Sequence, residues 1–120
     1  MRGEQYLTKA AQYSLVYTRG RSWPSALLVM KATPNGINIS RYGFSISRRV
    51  GKAVVRNRIK RRLREIMRQA PLRPGRDIIF IVRAPAAGVS FADLKQAARV
   101  LLLRAGILME DHEGVYPEAN

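Results

Sequence analysis

One run of positive charge constrains this chain more than any other feature. Residues 41–64 contain ten Lys or Arg residues and no Asp or Glu. In the second half of the run, apolar residues recur at helical spacing: Val55, Ile59, Leu63, Ile66 and Met67. The pattern predicts a helix from Ala53 to Gln69 with one buried stripe and a dense cationic surface. Because no carboxylate within the run relieves the repulsion between these cations, we expect the helix to bind an external polyanion.

The overall charge points to the same class of partner. The 120 residues have a formal net charge of +14, which raises the concentration of anions near the surface. Nucleic acid is the leading predicted partner, and an anionic membrane is the second. The chain has no cysteine, which excludes disulfides and thiolate chemistry and suits a reducing compartment. With no signal peptide or membrane-spanning run, we expect a cytoplasmic protein of one domain, residues 1–120.

The segment before the first predicted strand has the pattern of a short helix. Residues 9–19 are predicted to be helical, with Thr8 as the N-cap and Gly20 as the stop signal. Three larger side chains share one face of this helix: Tyr13, Val16 and Tyr17. From the residues alone, this face can pack in the core or bind a ligand.

The remaining elements predict an α+β domain with helices packed on one mixed sheet. Residues 26–30 and 37–46 read as strands that pair as an antiparallel hairpin through an Asn-Gly turn. The continuous apolar run 77–82 predicts a strand buried on both faces. Ser90 is predicted to cap a last helix. Residues 110–120 carry four of the eight carboxylates of the chain, and we expect them to be a frayed acidic tail.

The residues offer no catalytic constellation. The single histidine, His112, lies in the acidic tail, so a metal hydrolase or a Ser/His/Asp arrangement has little to build on. The pair Gly51-Lys52 lacks the glycine spacing and the following Ser or Thr of a phosphate-binding loop. A merely solvated charged face is the simple alternative, but such faces normally mix both signs. The sequence therefore favours polyanion binding over catalysis.

The segment Arg56-Asn57-Arg58-Ile59-Lys60-Arg61 resembles the RNR signature of the protein subunit of bacterial ribonuclease P. As in that family, a strand of the type 42–47, a basic pair and Val50-Gly51 precede it. The likeness covers essentially the whole chain, including the early helix with two aromatic residues four positions apart. It implies helices packed on a mixed four-stranded sheet in the order α-β-β-β-α-β-α. It also implies a ribosomal S5 domain 2-like arrangement with a left-handed βαβ crossover.

The resemblance also implies a function. In this family an RNA subunit cleaves the 5′ leader from precursor tRNA with Mg²⁺ that the RNA holds, and the protein binds that RNA and the leader. The resemblance implies no catalytic residue, no metal ligand and no obligate protein partner in the protein itself. The residues implied to contact the RNA subunit are Arg48, Arg49, Lys52, Arg56, Asn57, Arg58, Lys60, Arg61, Arg62 and Arg64. Those implied to line the leader cleft are Tyr13, Tyr17 and Met30.

One departure from the family pattern concerns the leader cleft. The family usually has phenylalanine where this chain has Tyr13 and Tyr17. Tyrosine keeps the ring face that stacks on unpaired bases, and it adds a hydroxyl that needs a partner.

Other functions remain open from the sequence. Charge and size fit a structural RNA-binding protein, such as a ribosomal protein, equally well. A DNA-binding protein with the basic helix in a major groove is disfavoured, because no second helix stands at helix-turn-helix spacing. A stand-alone nuclease is the least expected, because no carboxylates cluster as metal ligands.

Overall fold

The computed structural model describes residues 5–109, and the predicted order of elements is confirmed. These elements are α1 (Ala10–Arg19), β1 (Arg21–Pro24), β2 (Leu28–Pro34), β3 (Arg41–Ser45), α2 (Ala53–Gln69), β4 (Arg76–Val82) and α3 (Phe91–Arg104). Short 3-10 helices precede α2 at Arg48–Val50 and α3 at Ala84–Gly88. None of the helices in this part of the chain has the length and apolarity needed to cross a membrane. The predicted frayed tail, with His112, lies outside the described residues.

The predicted hairpin between the second and third strands is wrong. Strand β2 pairs antiparallel with β1 and β4, while β3 pairs parallel with β4, so the sheet order is β1-β2-β4-β3. Strand β4 is the most apolar strand and takes a central place, where both of its faces are covered. Helix α2 provides the crossover that the parallel pair β3 and β4 requires. The segment 35–40 is a loop rather than the start of β3, and the Asn35 side chain hydrogen-bonds within it, to Ile37 and Ile39.

Helices cover the sheet on both faces, but unequally. Alternate β4 side chains, Ile78, Phe80 and Val82, join the main core with α2 and α3. Helix α2 buries Ile59, Leu63, Ile66 and Met67 there, and α3 buries Leu94, Ala98, Leu101 and Leu102. On the opposite face, α1 packs over a much smaller cluster of buried residues, which is formed by Leu7, Val16 and Ile79. The sheet therefore lies between two helical layers, with α2 and α3 on one face and α1 alone on the other.

The ends of α1 differ from the prediction. The N-cap is Lys9 rather than Thr8, and the side-chain oxygen of Gln12 accepts hydrogen bonds from the backbone N–H groups of both residues. Gly20 has an extended backbone instead of the left-handed one of a typical stop. Glycine is needed because a Cβ at this position would collide with the carbonyl oxygen of Val16. The chain can therefore leave α1 and enter β1 directly. The predicted cap of α3 is confirmed, since Ser90 Oγ accepts from the N–H of Asp93 at 3.0 Å.

Candidate nucleic-acid interface

Helix α2 presents two cationic flanks on either side of its buried stripe. One flank faces β3 and carries Arg56, Lys60 and Arg64. The other flank faces the segment before α3, where Arg58 and Arg62 contact backbone carbonyls. Arg61 is exposed and falls between the two flanks at helical periodicity. The cations of the RNR segment are thus distributed over separate surfaces of the helix.

A groove runs along β3 on the first flank, and we call it the β3 groove. Its main part has a volume of about 320 Å³, and its lining residues are Tyr6, Leu7, Thr8, Tyr13, Gly43, Phe44, Lys60 and Arg64. It continues into a second depression of about 160 Å³, lined by Phe44, Ile46, Arg56, Asn57 and Lys60. Aromatic rings stack on bases and cations contact phosphates, so this combination suits a single-stranded nucleic acid.

Tyr13, a residue of α1, forms one wall of the groove. Its ring is half-buried, and its hydroxyl lies against Gly43, where the absence of a Cβ leaves room for it. Burial raises the pKa of the Tyr13 phenol, the proximity of Tyr17 raises it further, and a hydrogen bond with the Phe44 backbone lowers it in part. The hydroxyl that distinguishes this residue from phenylalanine therefore has its partner inside the protein and stays protonated at neutral pH.

Tyr17 lies one helical turn beyond Tyr13, and 40% of its surface is exposed. The two tyrosines share a side of α1, as the sequence predicted. Beside them, the α1 face of the sheet carries a row of half-buried residues in register across three strands: Ser45, Ile81 and Val29. The next row, with Gly43 and Ile79, is buried. Helix α1 thus covers one row of the sheet and leaves the adjacent row partly open.

Met30 does not belong to this surface, and its predicted place in the leader cleft is wrong. Its side chain is 0% exposed and packs in the main core, toward α2 and α3. Because side chains alternate along a strand, its neighbours Val29 and Lys31 lie on the α1 face, opposite Ile81 and Ile79 of β4. The pairing of β2 with β4 decides which face of the sheet each β2 side chain occupies. The predicted hairpin paired β2 with β3 instead, so it gave no information on the face that Met30 occupies.

The predicted RNA contacts fall into two groups by exposure. The exposed members are Arg48, Arg49, Lys52, Asn57, Lys60, Arg61 and Arg64, and the half-buried ones are Arg56, Arg58 and Arg62. Each half-buried arginine donates to a backbone carbonyl, with distances of 3.0 Å from Arg56 to Gly51, 3.5 Å from Arg58 to Ala87 and 3.3 Å from Arg62 to Val89. A guanidinium has five N–H donors, so the others remain for phosphate oxygens. The protein therefore orients these three cations in advance.

Two of the three carboxylates among the described residues are paired with arginines. Asp77 accepts two hydrogen bonds from Arg41, at 2.9 and 2.8 Å, and Glu65 pairs with Arg68 at 2.7 Å. Asp93 lies in the first turn of α3. Within residues 5–109 no three His, Asp or Glu side chains come together as ligands for a metal ion.

Tyr6 and Phe44 also line the groove, although neither was predicted from the sequence to do so. The Tyr6 ring meets Tyr42 edge-on at 5.2 Å, and the guanidinium of Arg64 lies 5.9 Å from the Tyr6 ring centre. Phe44 alternates with Tyr42 in β3, which the sequence did indicate. Only the sheet order shows that β3 is an edge strand, and this exposed edge is where Phe44 meets Lys60.

Comparison with known proteins agrees with this geometry. The Ribonuclease P family model matches residues 1–106. The ribonuclease P protein component of Dehalococcoides mccartyi strain 195 is 42% identical over 120 residues, which cover 100% of both chains. That of Roseiflexus castenholzii is 45% identical over 100 residues, which cover 81% of this chain and 82% of the relative.

Solved structures show the same fold. The RNase P protein of Staphylococcus aureus, at 29% identity, superposes with a TM-score of 0.79 over 88% of this chain and 98% of the other. That of Thermotoga maritima, also at 29% identity, gives a TM-score of 0.73 over 80% of this chain and 94% of the other. By the family match, the relatives and the shared fold, the chain belongs to the ribonuclease P protein component family.

Proposed function

We propose that this chain is the RNA-binding subunit of a ribonuclease P, which helps a catalytic RNA remove the 5′ leader from precursor tRNA. The observation that supports this most directly is the β3 groove. There the rings of Tyr13 and Phe44 lie beside Lys60 and Arg64 of the RNR helix. A leader is single-stranded, and such a groove offers it stacking surfaces and phosphate contacts at the same time.

The two tyrosines and the open row of the sheet extend this site. A leader that passes Tyr13 meets the exposed ring of Tyr17 and the half-buried row with Val29 and Ile81. Contacts of this type are tolerant of sequence, because every base has a ring face. This tolerance suits a subunit that serves precursors with different leaders.

The remaining cations contact the catalytic RNA in this proposal. Arg48, Arg49 and Lys52 flank the start of α2, and Arg61 is exposed on the helix itself. The chemistry of cleavage belongs to the RNA, which holds the Mg²⁺ ions; the carboxylates Asp77 and Glu65 are already paired with arginines. The protein contributes binding energy and orientation to the substrate. The complex works in the cytoplasm, where precursor tRNA is made.

Reconstitution tests the proposal. The purified chain is mixed with a ribonuclease P RNA at low Mg²⁺, and release of a labelled leader is followed against an RNA-only control. We expect faster cleavage that increases with leader length. Tyr17→Ala should remove most of the dependence on leader length, since it deletes an exposed stacking ring, whereas the matched variant Tyr17→Phe should keep it.

The outcomes separate the functions that the sequence left open. The proposal is supported if the parent chain stimulates cleavage and if the dependence on leader length is lost in Tyr17→Ala but kept in Tyr17→Phe. Binding of the catalytic RNA without any stimulation would contradict it and would indicate a structural RNA-binding protein instead. Stimulation that is independent of leader length would contradict the assignment of the groove to the leader.

A further inference from the structure

The last described residues fix the point from which the chain continues into the acidic residues 110–120. The backbone N–H of Met109 donates to the carbonyl oxygen of Pro71 at 2.8 Å, and Leu108 forms an antiparallel bridge with Leu72. Both partners come directly after the C-terminal end of α2. The acidic segment therefore begins beside this end of α2, at a position held by the backbone.

The surface around Met109 leads toward the β3 groove. Met109 lines a depression of about 280 Å³ together with Tyr42 of β3 and Arg68 of α2. Tyr42 is adjacent to Gly43 in β3, and Arg68 follows Arg64 by about one turn of α2. Both of these neighbours line the β3 groove. The depression and the groove thus lie end to end along the flank of α2 that faces β3.

The β3 groove and the acidic segment are complementary in charge. Arg56, Lys60 and Arg64 line the groove, and neither part of it has an Asp or Glu among its lining residues. Arg56 donates to a carbonyl oxygen and Arg64 lies over the Tyr6 ring, and neither contact neutralises a charge. Residues 110–120 have four carboxylates and no Lys or Arg. Opposite charges at this proximity attract each other.

The acidic segment is long enough to follow the groove. Glu113 and Glu118 stand four and nine residues after Met109. An extended chain spans about 3.3 Å per residue, so these carboxylates can reach about 13 Å and about 30 Å from Met109. Along α2, Lys60 lies about 12 Å from Arg68, at about 1.5 Å per residue. The segment can therefore bring a carboxylate to the cations in the groove.

The acidic segment also contains an aromatic ring. Tyr116 stands between Glu113 and Glu118, so a ring and carboxylates alternate along the chain as bases and phosphates do along a single strand of RNA. The groove has the rings of Tyr13 and Phe44 beside its cations. A peptide of this composition can make there the same two kinds of contact as a single-stranded nucleic acid.

We propose that residues 110–120 bind in the β3 groove of their own chain and compete there with single-stranded RNA. The carboxylates take the place of phosphates beside Lys60 and Arg64, and the Tyr116 ring takes the place of a base. The segment lowers the affinity of the free protein for unrelated single strands. A leader tethered to a bound precursor tRNA displaces it, because tethering raises the local concentration of the leader. The competition with a leader rests on the proposed function, whereas the contact between segment and groove does not.

Amide chemical shifts test this contact without any RNA. The neutralised variant replaces the four carboxylates by amides, as Glu110→Gln, Asp111→Asn, Glu113→Gln and Glu118→Gln. We expect the amide shifts of Phe44, Lys60 and Arg64 to differ between this variant and the parent chain at low salt. The differences should shrink in about 1 M salt, which screens exposed charges. Differences confined to α3, or to residues 108–120 themselves, would overturn the proposal.

The affinity for a single strand tests the competition. The probe is an oligouridine of about ten nucleotides, and its binding is followed by fluorescence anisotropy. We expect the neutralised variant to bind it about tenfold more tightly than the parent chain at low salt. Thermal melting verifies that the variant is folded.

A matched pair of charge reversals separates this competition from the general effect of net charge. Lys60→Glu changes the groove, and Arg21→Glu changes an exposed residue of β1, at the opposite edge of the sheet. The gain in affinity on neutralisation should fall by about threefold or more in Lys60→Glu and should be unchanged in Arg21→Glu.

The outcomes distinguish this inference from the proposed function. Equal gains in Lys60→Glu and Arg21→Glu would overturn the competition, since they would reflect net charge alone. No gain in the neutralised variant would overturn it as well. Failure of the parent chain to stimulate cleavage in the reconstitution would contradict the proposed function, whereas the amide shifts decide the contact between segment and groove independently of it.

Discussion

The two faces of the sheet differ in how completely the helices cover them. On one face, α2 and α3 close a continuous core in which Phe80, Leu63 and Leu101 have no exposed surface. On the other face, α1 covers a small cluster and leaves the row with Val29 and Ile81 partly open. The closed face supplies stability, and the open face, with the adjoining edge of β3, is the surface that we propose binds RNA. A chain this short can keep an open face because the other face is so completely packed.

The largest expected effect comes from a truncation on the closed face. Ile59→Ala removes a side chain of α2 that is only 2% exposed, so we expect a loss of about 2–5 kcal/mol in the free energy of unfolding. Val16→Ala removes two methyl groups from the α1 cluster and should cost about 1–3 kcal/mol. Urea unfolding of both variants measures the difference. Equal costs would show that the two faces contribute alike to stability and would contradict the comparison.

A smaller effect is expected where the open face meets the β3 groove. In Gly43→Ala, the new Cβ would collide with the Tyr13 hydroxyl and would approach the ring carbon Cζ within 2.7 Å. The Tyr13 ring must then move, at a cost of about 1 kcal/mol. A double-mutant cycle tests this, because Gly43→Ala should cost less when Tyr13 is already alanine. Additive costs would mean that Tyr13 does not occupy the space above Gly43.

The smallest effect is a dependence on pH. The pKa of Tyr13 is raised by burial in the folded protein, so the folded state keeps this proton at a pH where the unfolded chain loses it. The resulting stabilisation is complete below about pH 10, the pKa of an unperturbed tyrosine, and is lost as the pH rises through the higher folded value. Urea unfolding at pH 9 to 11 should show a steeper loss of stability in the parent chain than in Tyr13→Phe. Tyr17→Phe should fall between the two, because the proximity of Tyr17 supplies part of the increase in the Tyr13 pKa, and identical profiles for all three would contradict the burial of the Tyr13 phenol.

Local patterns in the sequence predicted the helices well. The bounds of α2 are those predicted with the apolar stripe, and the Ser90 cap of α3 is as expected. Such features depend on residues within one or two turns of each other, so they can be read from spacing alone. The RNR segment is equally local, and its resemblance to the ribonuclease P family is confirmed by the family match.

The predictions that failed all required knowledge of partners distant in sequence. The hairpin was wrong because β2 and β3 lie on opposite sides of β4, more than thirty residues further along the chain. Met30 was assigned to the wrong face for the same reason, since the orientation of a strand residue follows from pairing and register. Tyr6 and Phe44 were missed because neither carries a local signal of exposure at a sheet edge.

The sequence by itself therefore determined the elements, the cationic character of α2 and the family. The tertiary structure alone decided which faces of those elements meet. It divided the cations of α2 between the β3 groove and the opposite flank, which faces the segment before α3, placed Tyr13 above Gly43 and turned Met30 into the core. The reason is physical: helix periodicity and charge are properties of neighbouring residues, whereas a binding surface is formed by side chains whose proximity exists only after the sheet has assembled.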